Sequence, residues 1–180
     1  MRTPQLSHAQ IVEVAHLVAE YIREQRQKYA HGAVPLSVKQ RAGLEGFFSP
    51  QLLSQARLVV LRAKRVPDPD FYPTLKNMGF NNLPRQSTMA AITFADVVVS
   101  HDRFSRGLLF HELVHVEQYR QLGIPRFAEL YVRGFLSGGE YAGIPLEVNA
   151  YALEDRYERD PSRPFSVADE VQAWVKQDRF

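Results

Sequence analysis

The sequence predicts an α+β fold, mostly helical, with a small β-sheet packed beside one long buried helix. Three observations carry this. Several segments place apolar residues at helical spacing behind a serine cap. Short β-branched runs (RLVVLRA, AAITF and DVVVS) stand between turn-forming residues. The segment LLFHELVHVEQYRQLG, Leu108 to Gly123, has helical period yet is apolar nearly all the way round, as a helix inside a domain is. The chain of 180 residues is 45% apolar and 23% charged, which suits one domain spanning 1–180 with a core of its own.

Ser7-x-x-Gln10 forms a capping box. Behind it Ile11, Val14, Ala15, Val18, Tyr21 and Ile22 recur at helical spacing, predicting an amphipathic helix over 8–29. A second box, Ser37-x-x-Gln40, opens a short helix ending around Gly43 to Gly46. Ser49-Pro50 pairs a cap with a proline at the first helical position, so another short helix follows. RLVVLRA, Arg57 to Ala63, reads as a strand. Residues 64–88 are rich in Pro, Asn and Asp and read as a long loop, a kind of segment that is often functional in compact domains. Ala90 to Phe94 and Asp96 to Ser100 read as two strands joined tightly at Phe94-Ala95-Asp96. Ser105 caps the helix that carries HELVH, and Gly123 with Pro125 ends it. A helix over 126–137 stops at Gly138-Gly139, another spans 145–159, and Ser166-x-x-Asp169 starts a last one in which Trp174 and Val175 pack.

The net charge is +2, but residues 1–90 hold 12 Lys/Arg against 6 Asp/Glu, and residues 91–180 hold 10 against 14. The basic run Arg62, Lys64 and Arg65 is too short for a nucleic-acid or membrane patch and reads as a solvated loop. Neither a nucleic acid nor a membrane is expected as partner. With no cysteine, thiolate metal sites, disulfides and a cysteine nucleophile are excluded. No uninterrupted apolar signal-peptide core and no window of transmembrane length is seen. A cytoplasmic location is the default expectation, with signal-independent export as the other route.

The chemistry concentrates in His111-Glu112-x-x-His115. Residues four apart share a helix face, so two imidazole nitrogens can aim at one point, as a tetrahedral zinc requires. Glu112 lies about 100° round from His111. It is too far round to be the obvious third ligand, yet close enough to take a proton from a metal-activated water. Leu108, Val114, Gln118 and Leu122 share the ligand face. Leu109, Leu113 and Val116 cover the opposite side, and Arg106, Glu117 and Gln121 form the one polar strip. Two histidines on a buried helix need partners, and a metal supplies one.

A peptide-hydrolysing zinc site keeps three protein ligands and one open position. No histidine follows His115, so the third ligand is a downstream carboxylate or His101. Glu117 points to the polar strip and Glu129 to solvent. Glu140 sits in a Gly-rich loop, and Glu154 and Asp155 lie further on. Glu147 opens a helix whose next turn carries Ala150 and Ala152; small residues there permit close packing against the His111 helix. A solvated carboxylate at a helix start is the other reading of Glu147. His101 ends a strand and lacks the paired spacing.

HELVHVEQY, followed by Tyr141 to Ala150 with its I-P-L-E-x-x-A pattern, resembles minimal gluzincin-type zinc metallopeptidase domains of bacteria. These include the metallopeptidase-like core domains associated with extracellular contractile injection systems. The resemblance runs from about Ala90 to Glu154 and leaves out the N-terminal helix. It implies a zincin-like fold, Zn2+ held by His111, His115 and Glu147, Glu112 as base, and a peptide or protein substrate. Better-known gluzincins carry an Asp where this chain has Tyr151, so a carboxylate orienting a ligand histidine must come from elsewhere, with Glu154 and Asp155 as candidates. Zincin-like folds offer a strand edge to an extended substrate, a role open to DVVVS or AAITF unless both are core strands. Tyr141 and Tyr151 are candidate donors to a developing oxyanion, with Tyr141 preferred; a packing role is the alternative. Gln118 is expected to bond Glu147 or a strand carbonyl. His8, His16 and His31 are expected at the surface. A metal-binding module without hydrolysis, such as a component of a secretion or injection system, fits the same ligands.

Overall fold

A computed structural model describes residues 6–138 and 141–180; Glu140, one of the carboxylates considered above, lies outside them. The first helix, α1 (His8–Ala30), begins at the expected capping box. Ser7 Oγ accepts the Gln10 N–H, and the Gln10 side chain accepts the Ser7 N–H. Its buried stripe is Val14, Ala15, Ala19 and Ile22. β1 (Val34–Pro35) follows, and then α2 (Val38–Ala42) repeats the capping box with Ser37 and Gln40. In α3 (Pro50–Gln55), Ser49 accepts the Leu52 N–H. β2 is Arg57–Val60, shorter than the run predicted to Ala63.

Residues 64–88 are not wholly irregular. They hold a short helix, α4 (Tyr72–Asn77), and a 3-10 turn over Gln86–Thr88. β3 (Ala91–Phe94) and β4 (Val97–Ser100) form the expected tight hairpin. The long α5 (Arg106–Gly138) bends at Gly123, and α6 (Pro145–Arg159) and α7 (Val167–Lys176) complete the chain. Among the described residues no helix is long and apolar enough to cross a membrane.

The fold is α+β, mainly helical, with one four-stranded mixed sheet in the order β1-β2-β4-β3. β2 and β4 run parallel, Arg57 opposite Val97, while β1 and β3 pair antiparallel with their neighbours. β4 is therefore central and wholly buried, which removes DVVVS as a substrate edge. β3 is the outer strand on the site's side. Alternation divides the sheet's two faces. Val98 joins the core built on Leu109, Phe110, Leu113 and Val114 of α5, while Phe94, Val97 and Val99 join the stripe of α1. The sheet is thus enclosed between α5 and α1. Arg26 of α1 and Arg57 of β2 both pair with Asp96 at the hairpin turn, fixing α1 over the strand ends. The exposed Arg62, Lys64 and Arg65 lie in a solvated loop, as expected.

Gly123 is where the sequence placed a helix end, and its backbone leaves the helix there at φ 71°, ψ 161°. The second arm starts at once, because Pro125 needs no intrahelical N–H in its first turn. That backbone region is essentially restricted to glycine. Gly123→Ala should destabilise the protein by about 1–3 kcal/mol, read as a lower urea midpoint with unchanged slope. The second arm meets α6 closely: a Cβ on Gly134 would stand 2.6 Å from Pro145 Cδ. Further along, Phe110 of α5 stacks on Tyr157 of α6 with centroids 4.3 Å apart, and Phe47 meets both rings edge-on. These contacts hold α5 and α6 in fixed register around the residues described next.

Candidate metal centre

His111, Glu112 and His115 occupy consecutive turns of the first arm of α5, and each is buried to within 5% exposure. Glu147 lies in the first turn of α6, 3% exposed. The packing of α6 on α5 brings Glu147 Oε2 to 3.4 Å from both His111 Nε2 and His115 Nε2. The two Nε2 atoms are 3.1 Å apart. One ligand atom from each residue thus lies within 4.8 Å of the others.

The remaining ring nitrogens decide the chemistry of this cluster. His111 Nδ1 is 3.0 Å from Glu154 Oε2, a carboxylate, so the nitrogen donates. His115 Nδ1 is 2.8 Å from Gln118 Oε1. That amide cannot be turned round, because Gln118 Nε2 donates to Leu146 O at 3.0 Å and Asn149 Oδ1 at 2.9 Å. Both imidazoles therefore carry their proton on Nδ1 when neutral and turn an Nε2 lone pair inward. Glu147 Oε2 is buried and has no hydrogen-bond partner among the described residues. Among the described residues three acceptors converge with no donor between them, an arrangement that could hold a metal ion.

Titration follows the same logic. Burial pulls the His111 pKa down, but the adjoining carboxylates of Glu147 and Glu154 and the charge of Glu112 outweigh burial and raise it to about 10. His115 is likewise lowered by burial and raised further by Glu147, for a net increase. Burial raises the Glu147 carboxyl, yet His115 and His111 hold it well below the ordinary range. Without a metal, protons supply the positive charge that the cluster demands.

Glu112 is not part of this triangle. Its Oε2 accepts a 2.6 Å bond from Thr93 Oγ1 of β3, and it lines the cavity that His115 and Glu147 also line. Burial pushes its pKa up, with the two histidines and Thr93 acting the other way. The strand therefore orients the carboxylate, and the helix alone does not.

Tyr141 lies in a 3-10 turn, Tyr141–Gly143, just before α6. It lines the cavity beside Glu147. Burial and the Glu147 charge push its phenol well above 10.0, so it stays a neutral donor. Tyr151 does not reach the cavity wall; it is 45% exposed and lies against the His111 ring at 4.5 Å. In its place Glu154, two helical turns beyond Glu147, supplies the carboxylate that orients His111. Asp155 is exposed and does not approach the cluster.

The alternative ligands fall elsewhere. Glu117 lies on the polar strip with Gln121 but is buried there, and it pairs with Arg120 and Gln121. α7 packs against this end of the strip, with Gln121 Nε2 donating to Ala168 O at 2.9 Å, while Arg106 at the other end is exposed. Glu129 is bound by Arg126 and Arg133, which hold its carboxyl below the usual range. His101 bonds Met89 O through Nδ1 and accepts the Val66 N–H at Nε2. It closes the two ends of the 66–89 segment against each other. His8, His16 and His31 are exposed. Gln118 bonds neither Glu147 nor a strand; it orients His115. Thr93, Asn149 and the His115 role of Gln118 escaped sequence reasoning, since each depends on which element packs opposite.

Glu154→Ala should weaken zinc binding about 10–100-fold, the usual effect of losing a group that orients a ligand histidine. Competition with a chelating dye of known affinity reads this directly. No family model, curated protein or solved structure matches this chain.

Proposed function

We propose that this protein is a zinc-dependent metallopeptidase with a zincin-like fold of the gluzincin kind. His111, His115 and Glu147 hold the metal, and Glu112 is the base. The observation that carries this reading is the convergence of three donor-free acceptors from two helices, with a fourth, separately oriented carboxylate on the same cavity. A site serving structure alone has no need of that fourth group. Bound zinc would supply Lewis acidity, activating a water and polarising a peptide carbonyl.

The chain's own residues do the rest. Glu112, aimed by Thr93, takes a proton from the attacking water and returns it to the leaving amine. Glu154 and Gln118 keep both imidazoles in the ligating tautomer. Tyr141 offers a neutral hydroxyl beside Glu147, where it can donate to the developing oxyanion. The outer edge of β3, paired with no strand among the described residues, offers main-chain groups to an extended peptide.

Metal content measured by mass spectrometry on the purified protein tests the ligand set. One equivalent of zinc is expected in wild type, and little in His115→Ala or Glu147→Ala. Unchanged zinc in both variants sinks the assignment. A non-hydrolytic metal-binding module remains the second reading, favoured by how small the cavity is, about 100 Å3. A broad peptide library left uncut by zinc-loaded wild type would decide for it.

A further inference from the structure

Among the described residues, His101 is the buried histidine that the metal centre does not use; it follows β4 directly and is 3% exposed. Its ring nitrogens reach main-chain groups at the two ends of the 66–89 segment. Nε2 is 2.9 Å from Val66 N, and Nδ1 is 2.7 Å from Met89 O. The Val66 N–H can only donate and the Met89 carbonyl can only accept. Nε2 therefore holds a lone pair and Nδ1 holds the proton, so the ring is neutral and fixed in one tautomer. Val66 is fully buried, and its N–H is left without water to turn to if this bond is lost.

The segment tied in this way is a wall of the metal cavity. Pro69, Phe71, Tyr72, Gln86 and Met89 line it together with Glu112, His115 and Glu147. The middle of the segment is anchored, since Leu75 and Phe80 are buried in the core that α1 shares with the second arm of α5. The ends depend on fewer ties. Besides His101, Asp68 Oδ1 accepts the Gln86 N–H at 2.8 Å, and Tyr21 of α1 donates to Pro67 O at 3.2 Å. The ionisable side chains around these contacts are Lys64, Arg65 and Asp68 about Val66, Arg85 before Met89, Asp102 and Arg103 after His101, and Tyr21 from α1. β3 brings none. Both ring nitrogens meet main-chain atoms, and none of these side chains bonds the imidazole.

We propose that His101 is a positioning residue that works as a pH-sensitive latch on the metal cavity: neutral, it holds the two ends of the 66–89 segment together, and protonated, it releases them. The proton adds to the Nε2 lone pair, which then sets an N–H against the Val66 N–H, and that hydrogen bond is lost. The wall is thus closed at neutral and alkaline pH. Its ends loosen as pH falls through the range in which histidine gains its charge, from about pH 8 to about pH 5. The latch goes beyond the metallopeptidase reading and does not depend on it, because it shapes the cavity whatever chemistry the cavity performs.

Hydrogen–deuterium exchange of the purified protein, corrected for the intrinsic pH dependence of amide exchange, tests this. In wild type, peptides spanning 64–72 and 84–90 should exchange about tenfold faster at the acid end of that range, as expected for a local opening that follows loss of one buried bond. Peptides from the first arm of α5 should stay protected throughout. Two variants separate the roles of the ring nitrogens. Glutamine carries its oxygen where Nε2 stands and does not titrate, so His101→Gln should be slow at both pH values. Asparagine keeps a donor for Met89 O but offers Val66 nothing, so His101→Asn should be fast at both. Long-range 1H–15N spectra of the imidazole need no variant. They should show Nε2 unprotonated at the alkaline end and taking up its proton over the range in which exchange rises. Exchange that is flat with pH in wild type overturns the latch, as does a rise that survives in His101→Gln or that occurs with Nε2 unprotonated. A Gln variant as fast as the Asn variant at alkaline pH overturns the Val66 bond as its working part. None of these outcomes touches the metal content of the protein, which tests the metallopeptidase site separately.

Discussion

Zinc-loaded Glu112→Gln protein will keep its metal and lose peptide hydrolysis by about 10²–10⁴-fold, the range that a positioned general base contributes. The reason lies in the division of labour on α5. Glu112 stands beside the cluster of His111, His115 and Glu147 without being one of its three converging groups, and its Oε2 is engaged by Thr93 Oγ1 at 2.6 Å, so replacing it removes no ligand. Glutamine keeps the shape and still offers Thr93 an oxygen, but it cannot take a proton. Burial raises the Glu112 carboxyl above 4.5, towards the range where a base works best at neutral pH. Activity should therefore rise with pH through an acidic limb. Equal turnover by the Gln variant and wild type, or zinc lost from the variant, would remove Glu112 from the mechanism. Thr93→Val should give a smaller loss of the same kind, because it frees the carboxylate without removing it.

Much of this centre was legible because it is local. His111, Glu112 and His115 lie within two turns, and helical geometry alone places them. The caps at Ser7, Ser37, Ser49 and Ser166 named their helix starts because each satisfies backbone N–H groups through a side chain three residues back. What was hidden depended on partners distant in sequence. Glu117 was placed on a polar strip, and a helical wheel cannot know that α7 packs against it there. α4 starts at Tyr72, and Phe71 before it makes no side-chain cap, so nothing in the Pro-rich stretch announced it. β1 is only two residues long, one of them proline, and it exists because β2 pairs with it. Glu154 left a trace, since seven residues after Glu147 is two turns along one face. Choosing it over Asp155 required the crossing of α5 and α6.

Adding zinc will raise the melting temperature of metal-free protein, and the rise will grow as pH increases from 6 to 8. A ligand at about 1,000 times its Kd stabilises by about 4 kcal/mol, which for a domain of this size is roughly 8–16 °C. The pH dependence comes from the protons that the metal must displace. In metal-free protein the His111 pKa is raised to about 10 and that of His115 is raised too. Throughout pH 6 to 8 zinc therefore competes with bound protons, and each proton released improves the apparent affinity by about tenfold per pH unit. The metal-free protein follows the opposite trend. A histidine whose folded pKa exceeds its unfolded value of about 6.5 contributes stability that is complete below that value. The contribution is lost as pH climbs through about 10. Glu147, with its pKa lowered, contributes above its unfolded value and loses that contribution as pH falls below it. The apo protein should thus be steadiest between about pH 4.5 and 6.5 and weaken above, where zinc holds it best. Melting curves with and without zinc across this range, alongside His115→Ala, separate the two effects. A zinc-induced shift that is flat with pH, or that survives in His115→Ala, would mean that the metal binds somewhere other than between α5 and α6.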